Sequence, residues 1–216
     1  MSDPVDNRFV LINTTDGGAN WKLMDTAKMP PTKDGEAAFA ASGTCLITQG
    51  KNNAFLVSGG TDARVFRSTD RGLTWTVADT PIVHGTPGSG IFSIAMFDDK
   101  NGVIVGGNYE KPDEAKNNLA FTKDGGKTWR LALGLSGYRS GVVFTTKDTL
   151  SAVGSSGSDY GTKRGRSWKK DSDENLNSVQ ALISGSAIFL WAVGPNGNVA
   201  LSQMVIVPKG DPFNPM

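Results

Sequence analysis

The stretch Thr14-Thr15-Asp16-Gly17-Gly18-Ala19-Asn20-Trp21 returns as Ser68-Thr69-Asp70-Arg71-Gly72-Leu73-Thr74-Trp75 and again as Thr122-Lys123-Asp124-Gly125-Gly126-Lys127-Thr128-Trp129. The three tryptophans stand 54 residues apart, and a worn fourth copy, Gly161-Thr162-Lys163-Arg164-Gly165-Arg166-Ser167-Trp168, ends 39 residues after the third. A chain that repeats at this interval builds repeated supersecondary units, and the period is close to that of propellers and solenoids. The shorter last interval implies a shorter unit.

Strand-like runs flank each copy, such as Arg64-Val65-Phe66-Arg67 before the second and Thr74-Trp75-Thr76-Val77 over its end, so the copies read as hairpin loops. The aspartate accepts hydrogen bonds from N–H groups of its own turn, and Gly18, Gly72 or Gly126 takes a positive φ without a Cβ penalty. A Ser or Thr at the head adds a hydroxyl, and the tryptophan supplies apolar area that packs beneath the hairpin. In the fourth copy Lys163 stands at the aspartate position while Gly165 and Trp168 are kept, which predicts a looser turn.

The pattern S/T-x-D-x-G-x-x-W resembles the Asp-box, or bacterial neuraminidase repeat, of sialidase-like β-propellers and photosystem II stability/assembly factor-like proteins. The resemblance implies an all-β propeller of four-stranded antiparallel blades, about four to five units incomplete at both termini, in a single domain over 1–216. It also implies a structural role for Asp16, Asp70 and Asp124, because in these families the box lies on the outer part of the blade, away from the ligand-binding face. Assembly factor-like propellers usually carry more blades and an export signal. The chain therefore reads as the C-terminal portion of such a protein or as a shortened relative.

A length of 216 residues suffices for one sizeable core. Lys and Arg number 22 against 21 Asp and Glu, and the net charge of +1 argues against a broad nucleic-acid or membrane surface. Cys45 is the sole cysteine and lies in the apolar run Thr44-Cys45-Leu46-Ile47, so it reads as a buried structural thiol. Met1 to Asp6 has neither a basic nor an apolar leader region, and no run reaches transmembrane length. The compartment stays open.

Taken in order, one hairpin surrounds the first box, and full meanders begin at Ala37, Phe92 and Gly141. A last unit runs from Ser178 to Gln203, with a tail over 205–216 in which Val205-Ile206-Val207-Pro208 is a candidate outer strand. The runs Phe55 to Gly59, Val103 to Gly107, Ser151 to Gly154 and Trp191 to Gly194 look like one central strand used four times, apolar on both faces and sandwiched between blades. The polar loop Asn108 to Asn117 reads as mobile. Half-blades at both ends predict closure within one chain or self-association between chains.

Chemistry is sparse. His84 is the only histidine and reads as a solvated loop residue, and nothing in the sequence points to a metal or cofactor. First strands of propeller blades line the channel, which places Glu36, Phe92, Ser93, Tyr138, Arg139, Ser140, Asn177 and Ser178 on one face. Tyr138 and Arg139 offer stacking and a bidentate carboxylate clamp. Alternatively Arg139 pairs with Glu36 or an adjacent carbonyl and plugs the channel. The family resemblance implies a non-catalytic scaffold for a protein or peptide partner. The alternative, a sialidase-like glycosidase, needs Tyr138 as nucleophile with Glu36 and lacks the Phe/Tyr-Arg-x-Pro motif near the chain start.

Overall fold

Short runs of β-branched and aromatic residues, each ended by a turn rich in glycine, asparagine and aspartate, fold as successive antiparallel hairpins. A computed structural model describes residues 1–205. Its strands are β1 (Ser2–Val5), β2 (Arg8–Val10), β3 (Ile12–Asn13), β4 (Lys22–Leu23), β5 (Glu36–Ala37), β6 (Leu46–Gln49) and β7 (Asn53–Val57). Next come β8 (Gly59–Gly60), β9 (Arg64–Ser68), β10 (Thr76–Asp79), β11 (Ser89–Met96), β12 (Gly102–Asn108), β13 (Leu119–Thr122) and β14 (Arg130–Leu131). The chain continues through β15 (Gly141–Phe144), β16 (Leu150–Gly154), β17 (Gly157–Thr162), β18 (Ser167–Ser172), β19 (Ser178–Ser184), β20 (Ala187–Val193) and β21 (Val199–Val205).

Four antiparallel sheets form a four-blade β-propeller. The first blade is β6-β7-β9-β10, the second β11-β12-β13-β14 with its sheet extended past β11 by β8 and β5, the third β15-β16-β17-β18 and the fourth β19-β20-β21. The hairpins β1-β2 and β3-β4 pack on the first blade, where Phe9, Leu11 and Met29 join Leu56, Phe66 and Trp75 in one core cluster. The expected tail lies outside the described residues, except for Val205 at the end of β21.

Neighbouring blades are joined by a repeated backbone hydrogen bond. Ile91 N–H donates to the Ser58 carbonyl at 3.1 Å, Arg139 N–H to that of Gly106 at 3.0 Å, and Leu176 N–H to that of Gly154 at 3.2 Å. The approach leaves little room for a side chain: a Cβ on Gly90 would lie 2.2 Å from the Cα of Gly59, just past the first blade's second strand, and one on Gly107 3.1 Å from the Cα of Tyr138, which leads into the third blade. Glycine at these strand ends is therefore a packing requirement.

Strands β12 and β16 are buried along their whole length, as sandwiched central strands should be. The equivalent β20 differs. Leu190 and Ala192 pack with residues of the third blade, while Trp191 on the other face is 48% exposed, because no further sheet among the described residues covers it.

The three eight-residue turns share one hydrogen-bond pattern. The head hydroxyl donates to the aspartate (Thr14–Asp16 2.7 Å, Ser68–Asp70 2.8 Å, Thr122–Asp124 2.8 Å) and accepts the glycine N–H of Gly18, Gly72 or Gly126. The other aspartate contacts come from Asn20, Thr74 and Thr128, through N–H and side chain alike, and for Asp124 also from the Lys127 N–H. Trp75 and Trp129 are buried beneath their turns, but Trp21 is 58% exposed, so the expected anchoring fails in the first copy, beneath which no sheet among the described residues packs. The fourth turn is closed by backbone instead of carboxylate. Gly165 and Arg166 N–H groups reach the Thr162 carbonyl at 3.1 and 3.2 Å, with Lys163 and Arg164 at φ of 53° and 59°.

Trp75→Ala should destabilise the fold by about 3 kcal/mol and Trp21→Ala by under about 1 kcal/mol, measured by urea unfolding; equal costs would refute the burial difference. The turn carboxylates also predict a pH window. Asp16 and Asp70 are lowered from 3.8 to about 2, chiefly by the Asn20 N–H and by the Thr74 hydroxyl respectively. For Asp124 burial acts upward, and hydrogen bonds from Thr128, Thr122 and Lys127 outweigh it, again giving about 2. Their stabilisation is complete above 3.8 and is lost as the pH falls toward 2. An Asp70→Asn/Asp124→Asn double variant should show a flatter fall in urea midpoint across this window than the wild type.

Candidate functional site

The starts of the inner strands do converge. Thr44 Oγ1 and Ser93 Oγ lie 2.6 Å apart, Val142 N–H donates to Ser93 Oγ at 3.1 Å, and Ser140 Oγ donates to the Asn177 carbonyl at 2.7 Å. Ser178 Oγ in turn donates to the Ser42 carbonyl at 2.9 Å. This chain of contacts runs through the inner strands of the second, third and fourth blades and back to the segment that enters the first. Small hydroxyl side chains suit the position, since each donates and accepts without demanding space.

Above it sits an aromatic cluster. Phe39 stacks on Phe92 with ring centroids 3.9 Å apart, and Phe92 meets Tyr138 edge-on at 4.7 Å and Tyr109 at 6.2 Å. Phe92 and Tyr138 are buried, Phe39 is half-buried, and Tyr109 is 49% exposed. Burial pushes the Tyr138 hydroxyl well above the usual phenol range, against a smaller opposing effect of Ser140. Asn177 is exposed beside this end.

Glu36 and Arg139 are held elsewhere, and not with each other. Glu36 Oε1 accepts from Arg64 Nε at 3.0 Å and from Ser58 Oγ, Oε2 accepts from Lys33 N–H at 2.9 Å, and Arg64 Nη2 also pairs with Oε2. Arg139, fully buried, donates through Nε to Asp159 Oδ2 at 2.7 Å, through Nη1 to the Tyr138 carbonyl at 2.6 Å and Ser156 Oγ at 3.1 Å, and through Nη2 to Ser136 Oγ at 2.6 Å. The guanidinium is thus spent on an adjacent carbonyl, as one sequence reading had it, and on a carboxylate that is Asp159 and not Glu36. In each case a residue preceding a first strand pairs with one near the start of the third strand, with the charges exchanged between blades.

Phe39, Tyr109 and Asp159 were not among the sequence candidates. The loop Asn108 to Asn117, read as mobile, is tied down: the Pro112 carbonyl accepts from Tyr138 N–H at 2.8 Å and Ser156 Oγ at 2.7 Å, which fixes Tyr109 beside the cluster. His84 is an exposed loop residue with Nδ1 2.8 Å from the Ile82 carbonyl, and Cys45 is buried, which raises its thiol. Among the described residues no group of three or more potential metal ligands occurs, and no helix is long and apolar enough to cross a membrane.

No protein-family model matches the chain, and no curated protein matches it. Among solved structures it is similar to one described as YCF48 bound to D1 peptide, with a TM-score of 0.54 and 17% identity over 95% of this chain. It is also similar to an ancestral GH74 enzyme, with a TM-score of 0.52 and 13% identity over 89% of this chain. The chain spans 57% and 27% of the lengths of those two proteins, and the likeness is one of propeller fold.

The buried Arg139–Asp159 pair predicts an asymmetry in mutational cost. Arg139→Met should destabilise by about 3–5 kcal/mol by leaving the Asp159 carboxylate buried without its partner, whereas Arg139→Met/Asp159→Leu should recover most of that loss in urea unfolding.

Proposed function

We propose that this chain is a non-catalytic binding scaffold, a propeller of the photosystem II assembly factor-like kind whose repeated turns are Asp-boxes. It receives a peptide segment of another protein at the end where Phe39, Phe92, Tyr109 and Tyr138 gather. The observation that carries this reading is the cluster itself: a rigid aromatic floor, with a half-exposed tyrosine held in place by a tethered loop. Such side chains supply large contact area at low entropic cost. Asn177 offers amide hydrogen bonds at the rim, Ser93, Ser140 and Ser178 hold the floor together, and Glu36 and Arg139 act by positioning the segments around it. The likeness in fold to a propeller described with a bound peptide supports the same class of ligand.

A glycosidase reading has less behind it. Tyr138 as nucleophile needs an easily lost proton and a facing carboxylate. Its hydroxyl is instead driven upward by burial, and Glu36 is engaged with Arg64. The two readings separate in solution. Peptides selected from a library for binding to the wild type should bind Tyr109→Ala with a loss of about 2 kcal/mol, roughly thirtyfold, by titration calorimetry. Unchanged binding by that variant, or glycoside turnover abolished by Tyr138→Phe, would overturn the scaffold.

A further inference from the structure

At the opposite end of the blades, where the eight-residue turns lie, a cleft of about 190 Å³ opens between the second and third blades. Phe121, Lys123, Phe144, Arg164 and Arg166 line it, together with Asn101. Its apolar wall is continuous: Phe144 packs against Phe97 with ring centroids 5.6 Å apart, and the Lys123 ammonium stands 5.7 Å from the centre of the Phe121 ring. Its charge is net positive. Arg164 shares Asp148 at 3.3 Å and faces Asp98, which also holds Asn101, and Arg166 Nε donates to the Lys163 carbonyl at 3.1 Å, but among the described residues neither Lys123 nor Arg166 has a carboxylate within ion-pair distance.

Lys123 belongs to the third repeat; the rest of this imbalance traces to the worn fourth. Three turns carry an aspartate that occupies their own donors; the fourth carries Lys163, followed by Arg164 and Arg166, and closes on its backbone. The turn is also fixed in place, since a Cβ on Gly165 would lie 2.9 Å from a Val103 methyl of the second blade. Two unpaired cations beside aromatic walls match an anion borne on an apolar stem. The volume, room for about six waters, suits one side chain and not a nucleic-acid strand.

We propose that this cleft is an anion site for a peptide partner, taking a phosphate or carboxylate group carried on an apolar side chain. It is independent of the aromatic end. The probe is phenyl phosphate, titrated into ¹⁵N-labelled protein and followed by NMR. The amides of Lys123, Gly165 and Arg166 should shift saturably, and Lys123→Gln/Arg166→Gln should weaken binding about tenfold or more while leaving the rest of the spectrum in place, because both side chains are exposed. Phe144→Ala should weaken it as well. Phenylacetate binding more tightly than phenyl phosphate would support the site and assign it to carboxylates, while the reverse order would support it and assign it to phosphates. The absence of saturable shifts would overturn the proposal. So would inorganic phosphate binding as tightly as phenyl phosphate, or a single-stranded oligonucleotide perturbing the same amides at lower concentration.

Discussion

The structure depends on how closely one blade's second strand meets the next blade's first. At Gly90 and Gly107 the backbones of adjoining blades come close, and an N–H of the following blade reaches a carbonyl of the one before. A methyl group on Gly90 would press into Gly59, and one on Gly107 against Tyr138. Once that contact is made, the residues around it have little freedom: Phe92, Tyr138 and the serines that follow are delivered to the propeller axis by the geometry of the junction. The aromatic cluster and the hydroxyl chain beneath it are thus products of blade packing before they are products of any ligand.

The blades were legible in the sequence because each signal was local. An Asp, a Gly and a Trp at fixed spacing mark a hairpin, and runs such as Val103-Ile104-Val105 mark a strand covered on both faces. What stayed hidden depends on strand order and register across a blade. Arg139 meets Asp159, 20 residues further on, only because β17 returns alongside β16 with Asp159 opposite Ala152. Glu36 meets Arg64 through a comparable return. Tyr109 was hidden for another reason: a polar loop reads as mobile unless its anchor is known, and the anchor here is a proline carbonyl whose donors lie in other loops.

The two ends of the blades are built on different physics. At the aromatic end, Glu36 and Arg139 are buried and spent on Arg64 and Asp159, which leaves the cluster itself to shape and stacking. At the turn end, the aspartates consume their own donors in three repeats, while the fourth, having lost its aspartate, leaves cations facing outward. A repeat that has decayed as a turn has thereby acquired a different surface. The propeller presents one end on which exposed charges of both signs surround an aromatic cluster and, at the other, one locally basic notch, although its overall charge is close to neutral.

The open face of β20 bears on how the molecule comes apart. Each blade is stabilised mainly by its sequence neighbours, so stability accumulates along the chain much as in a linear array. The interior blades have two such neighbours, and the first has the N-terminal hairpins on one side and the second blade on the other. The fourth is held on one side only, by a single core cluster and the Leu176–Gly154 and Ser140–Asn177 hydrogen bonds to the third blade, with the Ser178–Ser42 hydrogen bond beyond it. Its amides should therefore exchange with solvent through partial openings that leave the second blade intact. Fraying would begin there, and cooperativity would decline from the middle of the chain toward that edge.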